Sequence, residues 1–201
     1  MVKHTGLIEK IEKKYQIVLA SQSKRRQQLL SDLGFSFTIV DTLDIDESAP
    51  NNLNYIETAE YIAHKKASTI KDKISKNQLV ITCDTIVVHN NKIIGKPKNR
   101  DEAVMFLKTL SDSKHEVVSG VCILGYDKYK LFHDITTVWF DKLTDSDINY
   151  YVDKYKPYDK AGAYGIQEWV GMVGILKIEG SYFNVMGLPT QKIYKELAEF
   201  L

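Results

Sequence analysis

The stretch Leu79-Val80-Ile81-Thr82-Cys83-Asp84-Thr85-Ile86-Val87-Val88 limits what this chain can fold into more than any other. It is apolar and β-branched almost throughout, the pattern of a central strand buried in a sheet. One carboxylate interrupts it. A lone ionised Asp84 in such a strand is costly, so it needs a metal, cations or several hydrogen bonds, or else its pKa rises. Either outcome suits a catalytic metal ligand or a general base. The structural alternative is a bend or strand end at Asp84-Thr85, with the carboxylate capping nearby N–H groups.

Around this strand, helical and extended patterns alternate. Ile17–Ala20 reads as a strand, Ser23–Leu33 as a helix stopped by Gly34, and Phe35–Val40 as a second strand. Asn54 to about Ile74 reads as a long helix, Asn90-Asn91 as a turn into Lys92–Ile94, and Asp101–Leu110 as another helix. Glu116–Leu124 and Leu131–Phe140 are two long strands, Thr144–Lys154 a capped helix, Gly174–Ile178 a strand and Thr190–Phe200 a final helix. The alternation predicts an α/β protein with a mixed sheet. With no repeat, linker or low-complexity segment in view, the chain reads as one domain over residues 1–201.

Charge narrows the function classes. The chain carries 27 Lys and Arg against 26 Asp and Glu, a net charge of +1. Such a balance offers no global field for nucleic acid or an anionic membrane, so any anion site must be local. The apolar runs are too short to cross a bilayer and the first residues lack a secretory pattern, so the cytoplasm is the expected compartment. Cys83 and Cys122 lie in apolar strands without ligand-spaced neighbours, and read as two buried thiols.

A local anion site is suggested by Leu19-Ala20-Ser21-Gln22-Ser23-Lys24-Arg25-Arg26-Gln27-Gln28-Leu29-Leu30. A strand that turns through serines into a helix leaves free N–H groups at a positive dipole end. Cations in the first turn oppose that dipole unless an anion sits among them. A solvated basic turn with a serine cap accounts for the same residues equally well. In the helix after Asn54, Ile56, Ala59, Ala63, Ala67 and Ile70 form an apolar stripe, and Lys66 falls on the same face. Spacing alone favours a lysine snorkelling at the stripe's edge. Gly95-Lys96-Pro97 and Tyr158 to Gln167 are weak loop signals by themselves. His64, His89, His115 and His133 have no partners at ligand spacing and read as unremarkable. No G-x-x-x-x-G-K-[ST], H-E-x-x-H or G-x-S-x-G pattern is present.

In order, however, these pieces resemble the Maf-like family of nucleotide pyrophosphatases. The family's LASxSPRRxxLL, DE, EKA, ADT, GKP, LSGxxHxV, DKAGAYGIQG and IxGSYxNVxGLP motifs correspond to Leu19–Leu30, Asp46-Glu47, Lys65–Ala67, Cys83–Thr85, Gly95–Pro97, Leu110–Val117, Asp159–Glu168 and Ile178–Pro189. The resemblance runs from Ile17 to the C-terminus and leaves residues 1–16 as an N-terminal extension. It implies an elongated mixed sheet flanked by helices, Maf/ITPase-like, with the substrate cleft between two lobes. It implies hydrolysis of a nucleoside triphosphate to monophosphate and pyrophosphate by metal-assisted attack of water at the α-phosphorus.

The family positions carry over one by one. Asp84 matches the proton acceptor, with Glu47 beside it as a second carboxylate for a divalent metal, Mg²⁺ or Mn²⁺. Lys96 joins these two as a catalytic candidate. Ser21, Arg26, Lys66, Lys96 and Lys160 match positions along the phosphate path. Arg25, Thr85 and Gln167 match base-specificity positions of the branch acting on dTTP and UTP. On this resemblance Lys66 becomes a site lysine, which its spacing never required.

The implied role is a house-cleaning hydrolase of pyrimidine nucleotides, modified ones included. Its partner is the nucleotide, with a homodimer as the assembly and neither nucleic acid nor membrane involved. The same chemistry on 7-methyl-GTP or other purine nucleotides is the alternative, as is a nucleotide-binding regulator of cell division with little catalysis. Several residues depart from the family pattern: Lys24 for Pro, Cys83 for Ala, Asp112-Ser113-Lys114 for Gly-Arg-x, Lys156 for an acid before Pro157, and Glu168 for Gly. Glu168 places a charge close to the expected base pocket.

Overall fold

The computed structural model describes residues 6–41 and 45–201. In chain order the elements are α1 (Leu7–Lys14), β1 (Gln16–Leu19), α2 (Lys24–Asp32), β2 (Phe37–Ile39), α3 (Tyr55–Ser68), β3 (Gln78–His89), β4 (Lys92–Ile94), α4 (Arg100–Leu110), β5 (Lys114–Leu124), β6 (Tyr129–Phe140), α5 (Asp145–Tyr155), α6 (Trp169–Gly174), β7 (Ile175–Glu179), α7 (Tyr182–Met186) and α8 (Thr190–Leu197). They build a seven-stranded mixed sheet of order β2-β1-β3-β5-β6-β7, with β4 paired to β3. The expected α/β architecture is what forms, and its path resolves into two compact units.

The first unit comprises residues 1–84, 119–134 and 187–201. Here β1 runs parallel to both β2 and β3, with Leu19 opposite Ile39 and Ile81. Parallel neighbours need covered faces, and the strand residues Ile17, Leu19, Leu79, Val80 and Ile81 are all buried. Helix α3 starts from a capping box in which Asn54 and Glu57 satisfy each other's backbone N–H groups. It settles directly on the sheet because β5 offers a glycine. A Cβ on Gly120 would stand 2.2 Å from the Ala59 carbonyl oxygen. Gly120→Ala therefore forces the helix off the strand, and we expect it to destabilise the fold by about 3 kcal/mol. A urea midpoint unchanged from wild type would show that no such contact exists.

The second unit comprises residues 85–118 and 135–186. The end of β3 turns into β4 through Asn90 and Asn91, both with positive φ (49° and 60°), as a tight two-residue hairpin requires. Strands β6 and β7 pair antiparallel. The core gathers Val87, Leu107, Leu110, Val138, Phe140, Ile148, Tyr151 and Ile166. Asp112 holds a left-handed backbone (φ 54°) where the family motif has Gly, and Asp is among the few side chains that tolerate it.

Three departures from the sequence expectation have physical reasons. The long helix stops at Ser68 and a short 3-10 turn follows at Lys71–Lys73, because the backbone of Ile70 (φ −112°, ψ 1°) leaves the helical conformation. Residues read as a charged extension contain the amphipathic helix α1, which buries Ile11 and ends with Lys14 Nζ donating to the Phe200 carbonyl (2.8 Å). Short helices α6 and α7 flank β7, too brief for a periodic signal. Both cysteines are buried free thiols, as expected, and burial pushes the Cys122 thiol up to about 12.

Candidate functional site

In the first unit, chemistry collects at the end of β1 and the middle of β3. The Ala20 N–H donates to the Ile81 carbonyl (2.9 Å), so Ser21-Gln22-Ser23 emerge alongside the stretch leading to Asp84. Ser23 caps α2, its hydroxyl accepting from the Arg26 N–H, and no acid stands in the first helical turn. The Ser21 hydroxyl accepts from the Ser23 N–H (3.2 Å) and the Ser21 carbonyl from Gln27 Nε2 (3.2 Å), which ties the turn down. Ser21 is buried, whereas Arg25 and Arg26 are half-buried. Arg26 Nε donates to the Gly187 carbonyl (2.8 Å), and Gly187 holds φ 113°, a backbone that side chains resist. Cys83 Sγ reaches the same carbonyl at 3.4 Å.

Lys66 occupies the centre of this unit's site. Thr82 and Asp84, two apart on β3, share one face of the strand, while Ala63 and Lys66, three apart, share one face of α3. The Thr82 hydroxyl donates to the Ala63 carbonyl (2.7 Å), and one step along, Lys66 Nζ donates to Asp84 Oδ1 (2.8 Å). Lys66 Nζ also meets Glu47 Oε1 at 2.7 Å. The lysine side chain is 7% exposed and that of Asp84 12%, against 49% for Glu47. Lys66 is thus a buried bridge between the two carboxylates and not an edge lysine with its head in water. Next to Glu47, Asp46 has other partners: hydrogen bonds from the Ser48 hydroxyl and N–H, with Lys65, lower its carboxyl to about 2.

The second unit holds the remaining candidates. Thr85 follows Asp84 directly in β3 and is half-buried. Lys96 is exposed in the loop after β4, and that loop is held to the next by the Gly162 N–H donating to the Gly95 carbonyl (3.0 Å). Gly162 (φ 69°) packs so closely on Val87 that a Cβ would lie 3.0 Å from its Cγ2, and Ala163 beside it is also left-handed (φ 58°). Buried Lys160 reaches Asp159 Oδ1 at 2.8 Å and Glu168 Oε1 at 3.2 Å. Gln167 is half-buried, and its Oε1 is buried with no hydrogen-bond partner among the described residues. An amide oxygen in that state is suited to a donor from a ligand.

Three residues of this unit have partners that the sequence reading did not give them. His115 is not an unremarkable histidine: it is buried, lies 2.7 Å from the Tyr164 hydroxyl and stacks on Phe140. Burial pushes it down to about 3, so the imidazole is neutral. Tyr151 is fully buried, and burial together with its bond to Glu168 drives its pKa far upward, which keeps the phenol protonated. Glu168 is not a loose charge near a base pocket, because Lys160 and Tyr151 both hold it. Their signal in the sequence was a place in a family motif: His115 lies in Leu110–Val117 and Glu168 ends Asp159–Glu168, whereas Tyr151 lies in none. Lys156 supplies the left-handed C-cap of α5 (φ 46°) with its side chain exposed, and nothing else in the structure explains its change of charge.

Among the described residues no group of three or more His, Cys, Asp or Glu is placed to hold a metal by itself. Asp84 and Glu47 nevertheless converge within 2.8 Å of one cation. One or two carboxylates are what Mg²⁺ takes from a protein when phosphates and water complete its shell, and the chemistry of this pair would fit such an ion.

Known proteins resemble this chain over most of its length. A family model described as "Maf-like protein" matches residues 16–200. A dTTP/UTP pyrophosphatase of Parabacteroides distasonis is 52% identical over 188 residues, covering 94% of this chain and 97% of that protein. Another dTTP/UTP pyrophosphatase, from Flavobacterium johnsoniae, is 48% identical over 185 residues, covering 92% and 95%. Among solved structures, the Staphylococcus aureus Ham1 protein superposes with a TM-score of 0.52 at 16% identity, covering 92% of this chain and all of that one, a likeness of fold.

Proposed function

The chain belongs to the Maf-like family, and on that premise we propose that it is a nucleotide pyrophosphatase that hydrolyses dTTP and UTP to the monophosphate and pyrophosphate. The observation that carries the reading is the buried Lys66 held between Asp84 and Glu47. Buried ion pairs add little to stability against an apolar substitute, so such a cluster on a central strand is better accounted for by chemistry.

In this reading the residues take the following roles. Asp84 takes the proton of the attacking water, and Glu47 stands by to share a divalent cation with it, Mg²⁺ or Mn²⁺. When bound, that ion neutralises phosphate oxygens and acidifies a coordinated water. Ser21, the N–H groups at the start of α2 and Arg26 form an anion-binding terminus for substrate phosphate. Lys66 places a buried positive charge beside the proton acceptor, where low dielectric strengthens it. Lys96 and Lys160 neutralise the departing pyrophosphate. Gln167, with its orphaned carbonyl oxygen, can accept from the imide N–H of thymine or uracil while its amide donates to a ring carbonyl, and Arg25 and Thr85 complete the selection. A base that cannot supply the imide N–H leaves that oxygen unpaired, the kind of mismatch that polar sites reject strongly. The expected place of work is the cytoplasm; no helix among the described residues is long and apolar enough to cross a membrane.

The test is pyrophosphate release from a panel of nucleoside triphosphates with Mg²⁺. We expect dTTP and UTP to be turned over at least about tenfold more efficiently, in kcat/KM, than dGTP or 7-methyl-GTP. Orthophosphate as the first product would overturn the cleavage site. A purine preference would overturn the base assignment, and binding without turnover would point to the regulatory role.

A further inference from the structure

We propose that Glu168 is a positioning residue for base selection, closing a second time the turn that carries Gln167. The inference rests on the pyrimidine reading above.

The turn is closed first by its backbone: the Glu168 N–H donates to the Gly165 carbonyl (2.9 Å), which leaves Gln167 as its third residue. The same two residues are joined again through a side chain. Glu168 Oε2 accepts a hydrogen bond from the Tyr151 hydroxyl, and that hydroxyl accepts from the Gly165 N–H (3.0 Å). Both backbone groups of Gly165 are thereby spoken for, and both paths end on Glu168. Tyr151 anchors the second path to the core, since it is fully buried on α5. Its phenol stays protonated, as the donor role requires.

Two further observations separate this from ordinary helix capping. Glu168 occupies the N-cap position of α6, yet its side chain makes no capping bond there and folds back toward Tyr151 and Lys160. Glu168 and Gln167 both lie over Gly165: a Cβ on that residue would stand 2.9 Å from Glu168 Cδ and 3.2 Å from Gln167 Nε2. Glu168 therefore fills the space beside the Gln167 amide and locks the turn under it. A free-swinging turn would let the amide follow either a pyrimidine or a purine edge; a doubly closed one holds its donor and acceptor in a single placement. Because Lys160 shares the same carboxylate, the base-reading turn and a phosphate-path lysine are held by one group.

The experiment measures kcat and KM for dTTP, UTP and dGTP in wild type, Glu168→Ala, Glu168→Gln, Tyr151→Phe and the Glu168→Ala/Tyr151→Phe double variant. We expect Glu168→Ala and Tyr151→Phe each to lower the dTTP-over-dGTP ratio of kcat/KM about tenfold, chiefly by raising KM for dTTP. Glu168→Gln keeps the ratio within about threefold, because its carbonyl oxygen still accepts from Tyr151. The double variant is no worse than either single, since both cut one path. An equal loss for every nucleotide, or a ratio unchanged in Glu168→Ala, would overturn the proposal and reduce Glu168 to a structural contact. If Tyr151→Phe does not fold, Glu168→Ala against Glu168→Gln decides alone. A wild type without pyrimidine preference is a different failure, that of the base reading itself.

Discussion

Asp84→Asn is expected to lower kcat for dTTP by about 10³-fold while the protein folds as before, read from pyrophosphate release beside a thermal melt. Asparagine has the volume and most of the hydrogen-bonding reach of aspartate but cannot accept a proton from water. It also withdraws one of the two carboxylates offered to a divalent cation, so two contributions fall together. The fold is spared because Lys66 keeps its other partner, Glu47 Oε1 at 2.7 Å, and is not left as a buried unpaired charge. Thr82, next on the same strand face, still binds the Ala63 carbonyl and holds α3 in place. Turnover within about tenfold of wild type would remove Asp84 from the role of base, since positioned general bases contribute more than that.

The second large effect is on stability and catalysis together. Lys66→Met retains an unbranched stem in a space only 6% exposed but deletes the cation between two acids. Removing one member of a buried pair is far worse than replacing both, because the charge left behind has lost water and partner alike. We expect a loss of about 3 kcal/mol, discounted for the half-exposed Glu47, and a melting temperature lower by roughly 6–12 °C for a chain of this size. Activity falls by about 10²–10³ in kcat/KM through loss of preorganised positive charge. Lys66→Arg restores the charge but not the geometry, because a planar fork does not fit where a point charge bridges two oxygens. A variant at Lys66→Met with wild-type melting would mean that the pair is not buried in solution.

Much of this arrangement was legible in the linear chain. The β3 strand declared itself by ten apolar-rich residues, and Asp84 by interrupting them, because burying a charge without compensation is too costly to be incidental. The cap at Ser23 and the absence of an acid in the first turn of α2 were equally local facts, and the structure bears out the cap. The Asn90-Asn91 hairpin was readable for the same reason: positive φ at two successive residues selects side chains that tolerate it. Element order and class rest on such short-range periodicities. What failed lay at the limits of periodicity: α6 and α7 are only six and five residues long, and α1 passed as part of an N-terminal extension because Ile11 alone among its residues is fully buried.

The site divides along a similar line. Motif by motif, the sequence named Ser21, Arg25, Arg26, Glu47, Lys66, Asp84, Thr85, Lys96, Lys160 and Gln167, but their pairings are long-range. Spacing put Lys66 on the inner face of a helix and then favoured the bland outcome; only the approach of α3 to β5, permitted by Gly120, drives its ammonium down to Asp84. Glu168 read only as a charge close to the expected base pocket, because its partners Tyr151 and Lys160 lie 17 and 8 residues earlier in the chain. His115 looked idle because nothing local reveals that Tyr164 closes over it. The linear chain settled the class of fold and nominated the candidate chemical groups, since propensity, turns and the cost of a buried carboxylate act over a few residues. The tertiary structure alone decided which of those groups meet, since ion pairs and hydrogen bonds between distant segments exist only once backbone packing has set the distances.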